Sequence, residues 1–256
     1  MAGTVSSVTR LSSDPRLAGL RRVAIVPAYN EAASVASVIE EIRAVDPDLD
    51  IVVIDDGSRD GSAAAAERAG ARVVRLPFNL GIGGAMQTGY QYAREHGFDL
   101  AVQIDGDGQH DPRELPKLLE PILDGRADMA VGTRFGSGRR YRPAFARRIG
   151  IELFAWLVTL IVRQRVTDTT SGFRAVNREG ILLFASDYPH DYPEVETTVL
   201  VFRHKLRMEE VPVEMRTRAS GRSSITFFRS IYYMVKVSLA LFIGLFRRYS
   251  TPTEES

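Results

Sequence analysis

The sequence predicts an α/β fold: a mostly parallel central sheet flanked by helices. Three observations carry this. Short β-branched runs alternate with helical stretches through the first half of the chain. The runs are apolar at nearly every position, as expected of strands covered on both faces. The helical stretches between them can return the chain to a parallel neighbour. With 256 residues the chain has room for one large domain or two small ones. A hydrophobic fraction of 45% with 25% charged residues excludes wholesale disorder.

In order, polar Met1–Leu20 reads as a flexible leader without a signal peptide's apolar core. Strands are expected at Val23–Pro27, Ile51–Asp55, Arg72–Leu76, Leu100–Ile104 and Met129–Gly132. Between them Glu31–Val45, Gly61–Ala69, Gly81–His96 and Pro112–Leu123 have helical periodicity. Asp111 suits an N-cap and Pro112 the first turn. The second half opens with a Gly/Arg/Tyr/Pro loop, Gly136–Pro143. A long helix follows over Ala146–Arg163, then a loop at Asp168–Arg174, a helix from Glu194 and a strand near Met208–Val213. In such sheets ligands sit at the carboxyl ends of the strands.

Charge divides the chain. Residues 1–133 hold 13 basic and 20 acidic side chains; residues 134–256 hold 20 and 12. Arg134–Arg178 alone contains ten Arg against Glu152 and Asp168. Two electrostatically different surfaces follow, for two different ligands. There is no Cys, hence no disulfide, thiolate metal site or Cys nucleophile. The four His show no metal-binding spacing. Nothing resembles a nucleic-acid-binding signature.

The strongest local signal is Val102-Gln-Ile-Asp-Gly-Asp-Gly-Gln-His110. Asp105, Asp107 and Gln109 recur every two residues, which in extended backbone points them to one side. Two carboxylates and an amide oxygen suit Mg²⁺ or Mn²⁺, which share ligands with substrate phosphates. The competing reading is a polar loop with capping aspartates. At the end of an earlier strand, Asp55 and Asp56 can accept hydrogen bonds from a base or ribose, or belong to a simple turn. Asp60 suits the cap of the next helix. In Pro27-Ala-Tyr-Asn-Glu31, Tyr29 can stack on a base and Glu31 bond its edge; alternatively Asn30 caps a helix and Tyr29 packs. The Gly81–Ala85 loop, with Gly83 and Gly84, can bring backbone N–H groups to a phosphate, or simply allow tight packing.

These loops follow successive strands and can converge on one rim. Together they resemble the inverting family 2 glycosyltransferases with the GT-A nucleotide-sugar fold. Gly132-Thr-Arg-Phe135, Asp168-Thr-Thr-Ser-Gly-Phe-Arg174 and Arg218-Ala-Ser-Gly-Arg-Ser-Ser224 are similar to segments of the polyprenyl-phosphate sugar synthases, the group of dolichol-phosphate mannose synthase. The resemblance spans roughly Val23–Phe246. It implies that Asp105, Asp107 and Gln109 form the metal and diphosphate centre. Pro27, Tyr29, Glu31, Asp55 and Asp56 would hold the nucleotide. Arg134 would meet the acceptor phosphate, as would Arg147 or Arg148. Ser171, Arg218 and Ser223 would belong to loops closing over donor and acceptor. Ser224 stands where the family has Lys, so Arg222 is the candidate substitute.

The chemistry implied is attack of an anionic lipid phosphate on the anomeric carbon with inversion. A phosphate acceptor needs no strong general base; a hydroxyl acceptor would, and Asp168, Glu194 and Glu196 are the candidates. The domain plan is a catalytic unit over residues 21–224, an amphipathic segment over 225–248 and a polar tail over 249–256. In Ile225–Arg248, Arg229, Lys236 and Arg247 are 7 and 11 residues apart and share one helical stripe. Around them lie Phe227, Phe228, Ile231, Val235, Leu239, Phe242 and Phe246. That suits a helix lying in the headgroup region of a membrane; an oligomer interface or a core contact is the alternative. The longest uncharged run there, Val237–Phe246, is too short to span a bilayer. Ser230–Lys236 resembles a bacterial subgroup accompanied by a small separate membrane protein. Its members make polyprenyl-phosphate N-acetylhexosamines, which implies a UDP-linked donor and a peripheral place on the cytoplasmic membrane face. Two other functions fit the motifs: transfer to a saccharide hydroxyl, and a non-catalytic nucleotide- or membrane-binding module.

Overall fold

Seven strands form one sheet in the computed structural model, which describes residues 11, 14–134, 168, 171–190 and 193–216. In chain order the elements are β1 (Arg22–Ala28), α1 (Val35–Val45), β2 (Asp50–Asp55), α2 (Ser62–Arg68), β3 (Arg72–Arg75), α3 (Gly81–Glu95) and β4 (Leu100–Gln103). There follow α4 (Leu115–Leu123), β5 (Met129–Thr133), β6 (Arg174–Asn177), α5 (Arg178–Ser186), α6 (Pro193–Arg203) and β7 (Met208–Pro212). The helix expected at Ala146–Arg163, the basic residues Arg147, Arg148, Arg218 and Arg222, Ser223 and the segment 225–248 lie outside the described residues.

The sheet order is β3-β2-β1-β4-β6-β5-β7. All pairings are parallel except those of β6, which is antiparallel to both β4 and β5. The mostly parallel sheet is therefore as expected, and β6 with α5 is an addition to it. The four residues of β6 are too few to show a period, and they open with Arg174, a residue that ordinarily argues against a buried strand. Helix α1 begins at Val35 rather than Glu31, because the N–H groups of Ser34 and Val35 both bond Glu31 O in a turn. Asp111 caps the short 3₁₀ turn Pro112–Glu114 ahead of α4, accepting from Arg113 N.

Alternation along each strand sends side chains to opposite faces. Val23, Ile25, Val52 and Ile54 pack under α3, α5 and α6 with Met86, Tyr90, Phe184 and Val199. Ala24, Val26, Ile51, Val53 and Val102 pack under α1, α2 and α4 with Ile39, Ile42, Ala66 and Leu118. Each large aliphatic chain so buried contributes about 1.5–3 kcal/mol. At the amino end of the sheet Arg22 grips Asp46 with two hydrogen bonds of 2.7 and 3.0 Å, and Asp46 is fully buried.

Strand β6 matters for position. Being antiparallel, it starts at the rim where β4 and β5 end. Its preceding residues, Ser171–Phe173, are thereby delivered to that rim, where Gly132 N bonds Phe173 O at 2.8 Å. Strand β7 ends on the same side, and Arg216 N donates to Gln109 O at 2.9 Å.

Candidate active site

The loops after β1 and β2 are stitched together. Asn30 sits at φ 56°, where Asn is among the better-tolerated non-glycine residues. Its N–H donates to Ser58 Oγ at 3.0 Å, and its side-chain oxygen accepts from Arg59 N at 2.9 Å. Glu31 N donates to Ser62 Oγ, and Ala32 N to Asp60 Oδ2. Asp60 also accepts from Ser62 N, so it guards the start of α2 as expected. Asn30 is a loop clamp and does not cap α1. Tyr29 is 46% exposed at this rim. Pro27 is buried, and its carbonyl accepts from Gly106 N at 3.3 Å, tying β1 to the DxD loop.

Asp55 and Asp56 differ in role. Asp55 Oδ1 accepts from Ser58 N at 3.2 Å and holds the turn. Asp56 receives Leu80 N at 2.7 Å on one oxygen and Gly81 N at 2.9 Å on the other. It therefore anchors the start of α3. Burial pushes the Asp56 carboxyl up; the two backbone N–H groups oppose that shift. Gly83 and Gly84 are buried in the first turn of α3. A Cβ at Gly83 would lie 2.5 Å from Pro189 O, and one at Gly84 2.5 Å from Leu80 Cβ. Packing thus accounts for both glycines. Gly83→Ala is expected to cost about 1–3 kcal/mol through overpacking against that backbone, read from urea denaturation.

The DxD loop occupies the centre of the rim. Asp105 is partly exposed, and Gln103, buried beneath it, donates to its Oδ1 at 3.0 Å. His110 is buried and stacks on Phe173, ring centroids 4.9 Å apart. Asp107 accepts from Gln109 N at 3.0 Å and from the Gln109 side-chain amide. The backbone turns at Gly106 and Asp107, with Gly108 at φ 77°, so extended alternation does not align the three as expected; Asp105, Asp107 and Gln109 still share one loop with partly exposed oxygen donors, a donor set that fits a divalent cation. Among the described residues no three His, Asp or Glu form a metal cluster. Two carboxylates plus oxygens from substrate and water is the usual Mg²⁺ pattern.

The loop before β6 closes on this centre. A Cβ at Gly172 would lie 3.0 Å from Gln103 Nε2 and 3.4 Å from Asp105 Oδ2, so glycine lets the loop sit directly on the DxD residues. Ser171 is buried; its Oγ accepts from Phe173 N and its carbonyl accepts from Arg174 Nε at 2.8 Å. Arg174 also donates to Thr197 Oγ1 and to Glu194 O, fastening α6 to the loop. At the end of β5, Arg134 donates from Nε and Nη2 to the two oxygens of Asp168, both at 2.9 Å. Asp168 is buried and serves as the counterion that aims Arg134, which removes it from the candidate bases.

Glu194, at the start of α6, is different. Burial pushes its carboxyl up; Arg174 opposes the shift and the nearby Asp105 charge adds to it. The sign follows. Between the unfolded value of 4.5 and the higher folded one, the native state holds more protons than the unfolded state, so stability falls as pH rises through that window. Glu194→Gln is therefore expected to be more stable than the wild type at pH 7. The gain should vanish below pH 4.5, where both forms are neutral; denaturant titrations at the two pH values check this.

Gln103, His110, Arg174 and Gly172 complete the site but were not expected as site residues. Each lies inside a motif quoted above, but its residue type alone assigned it no role. Two surface concavities lie elsewhere, one against Leu20–Arg22 and Asp50, the other against Glu41, Pro112 and Arg216.

A doubly covered α/β sheet with carboxylates and paired arginines at its carboxyl rim is the architecture of a group-transfer enzyme handling polyanions. The model for "Glycosyl transferase family 2" matches residues 23–182, and the chain belongs to that family. It is a glycosyltransferase with the GT-A fold. It is 30% identical to the undecaprenyl-phosphate mannosyltransferase of Micrococcus luteus, over 81% of this chain and 88% of that one. The UDP-N-acetylglucosamine–dolichyl-phosphate N-acetylglucosaminyltransferase of Methanococcus voltae is 25% identical over 84% of this chain and 95% of its own. The crystal structure of Mycobacterium tuberculosis glucosyl-3-phosphoglycerate synthase with Mn²⁺, UDP and phosphoglyceric acid superposes with a TM-score of 0.67. It is 25% identical and covers 90% of this chain and 79% of that one.

Proposed function

We propose that this glycosyltransferase transfers a sugar from a nucleotide sugar to a polyprenyl phosphate, with inversion, at the cytoplasmic membrane face. The observation that carries the reading is the seating of the Ser171–Phe173 loop on Asp105, with Arg134 held by Asp168 on the adjoining strand end. A carboxylate centre for the diphosphate and an oriented guanidinium for a second anion then share one rim. The relatives named for polyprenyl and dolichyl phosphates support the acceptor class. One of them uses mannose and the other N-acetylglucosamine; a UDP-linked N-acetylhexosamine remains the donor we propose.

In this mechanism Asp105, Asp107 and Gln109 would hold Mg²⁺ or Mn²⁺, which supplies Lewis-acid stabilisation of the leaving diphosphate. Tyr29 offers a ring face to the base and Asp55 a carboxylate to the nucleoside. Gly172 and Ser171 cover the reacting region. Arg134, together with Arg147 or Arg148, Arg218, Arg222 and Ser223, would bind the acceptor phosphate. Guanidinium suits phosphate because its N–H groups match two oxygens at once. The acceptor oxygen is already anionic, so no residue has to remove a proton from it. Among the described residues no helix is long and apolar enough to cross a membrane. The stripe of Arg229, Lys236 and Arg247 on segment 225–248 is the proposed contact with the headgroups. A small membrane protein or a second copy of the chain is the proposed partner for its apolar side.

One observation favours a second reading, transfer to a hydroxyl: Glu194 is a carboxyl near Asp105 with raised proton affinity, as a general base requires. The test is incubation with Mg²⁺ or Mn²⁺, polyprenyl phosphate and a panel of nucleotide sugars. A lipid-linked product from one donor is expected. No such product from any donor, with membranes supplying the partner, would overturn the proposal.

A further inference from the structure

Asp105 is braced from behind by a side chain that has no part in the chemistry above. Its backbone N–H donates to His110 Nδ1 at 3.0 Å. A backbone amide only donates, so Nδ1 must be the acceptor, and the proton of the neutral ring resides on Nε2. Nε2 lies 3.7 Å from Asp105 Oδ2. One ring therefore bonds the Asp105 main chain through one nitrogen and sets the N–H of the other facing its carboxylate, too far for a hydrogen bond but near enough for electrostatic attraction. The second oxygen, Oδ1, is held by Gln103 at 3.0 Å.

The ring itself has little freedom. It is 5% exposed and lies nearly parallel to Phe173, with 17° between the planes. Backbone pairing of His110 with Met215 fixes the loop from the other side. Cε1 of the ring would lie 3.5 Å from a Cβ at Gly172, so the loop before β6 closes the cage. This is the arrangement that a carboxylate ligand needs to hold its direction when a cation pulls on it.

We infer that His110 is a positioning residue for Asp105: it fixes the direction of that carboxylate, and so the affinity of the site for a divalent cation with a nucleoside diphosphate. The inference rests on the proposed role of Asp105 in holding the ion. It needs no change of protonation; the neutral ring does the work in the tautomer that the Asp105 amide imposes.

The experiment measures Mn²⁺ binding to the full chain by electron paramagnetic resonance. UDP or GDP is present, whichever the wild type binds. Asp105→Ala tests the underlying reading and should lose Mn²⁺ binding. His110→Phe keeps a flat ring against Phe173 but removes both nitrogens. It should weaken Mn²⁺ binding by roughly 10–100-fold, the usual effect of removing a partner behind a metal ligand. Binding of the nucleotide without metal should be unchanged, a readout that general loosening of the loop would shift. His110→Asn restores an acceptor for the Asp105 amide and should recover part of the loss. Two results overturn the inference: His110→Phe within twofold of the wild type while Asp105→Ala loses Mn²⁺, or an equal loss of metal-free nucleotide binding. If Asp105→Ala itself binds Mn²⁺ normally, the reading beneath the inference fails instead.

Discussion

Asp107→Ala is expected to lower turnover about a thousandfold while leaving the fold intact. The residue lies half-exposed on the DxD loop, and its bonds to Gln109 are confined to one local turn. It takes no part in the apolar packing on either face of the sheet. Its carboxylate is one of two that would hold the ion against the diphosphate. A thousandfold loss corresponds to about 4 kcal/mol of transition-state stabilisation, which matches the several kcal/mol a cation contributes at a developing oxyanion. Thermal melting should stay within a few degrees of the wild type. Activity within tenfold of the wild type, with excess Mg²⁺ absent, would contradict the assignment of Asp107.

Arg174→Met is expected to cost about 1–3 kcal/mol of stability, the range for leaving a buried hydrogen-bonding group without its partner. The guanidinium is 2% exposed and serves three acceptors: Ser171 O, Thr197 Oγ1 and Glu194 O. Methionine fills the space but bonds none of them: Ser171 O loses Arg174 and bears the desolvation cost, whereas Glu194 O keeps Thr198 Oγ1 and Thr197 keeps Pro193 O. The positive charge also offsets the carboxylate of Glu194. Its loss should raise the proton affinity of Glu194 further. Activity should fall with stability, since Arg174 fastens both the loop over Asp105 and the first turn of α6. Arg174→Lys should recover only part of the loss, because one ammonium cannot reach three acceptors set in a plane. Urea denaturation at neutral pH gives the energies.

Much of this was readable from the chain. The apolar strand runs before Pro27, Asp55, Gln103 and Thr133 told of a doubly covered sheet, because strands buried on both faces leave no alternation. Once those strands are parallel, their carboxyl ends must share a rim. That is why the loops at Pro27–Glu31, Asp55–Gly61 and Asp105–His110 were expected on one rim, and β1, β2 and β4 do end there side by side. What escaped was non-local. Nothing in Arg174–Asn177 announces a strand, since its stability comes from β4 and β5 on either side. The antiparallel insertion, however, decides that Gly172 rests on Asp105. The bond from the Asp105 amide to His110 is likewise a matter of ring orientation, set by Phe173 from 63 residues further along the chain. Asp168 was one of three acids of equal standing until its pairing with Arg134 was visible.

The glycines make the same point from the other side. The Gly81–Ala85 loop suited either a phosphate or tight packing, because glycine permits close approach. Gly83 and Gly84 do permit it, but what approaches is Pro189–His190 and the Leu80 side chain. Gly57, at φ 70°, is a backbone requirement: a Cβ there would lie 2.8 Å from Phe78 C. Glycine spacing shows that something comes close without saying what.

The central claim is that the acceptor oxygen belongs to a lipid phosphate. The most direct measurement is the linkage in the product formed from polyprenyl phosphate and the preferred nucleotide sugar. The account predicts that mass spectrometry finds polyprenyl phosphate heavier by one sugar residue, and that mild acid releases the sugar, as a sugar–phosphate bond requires. A product stable to mild acid, with the sugar on a carbon-borne hydroxyl, would contradict it.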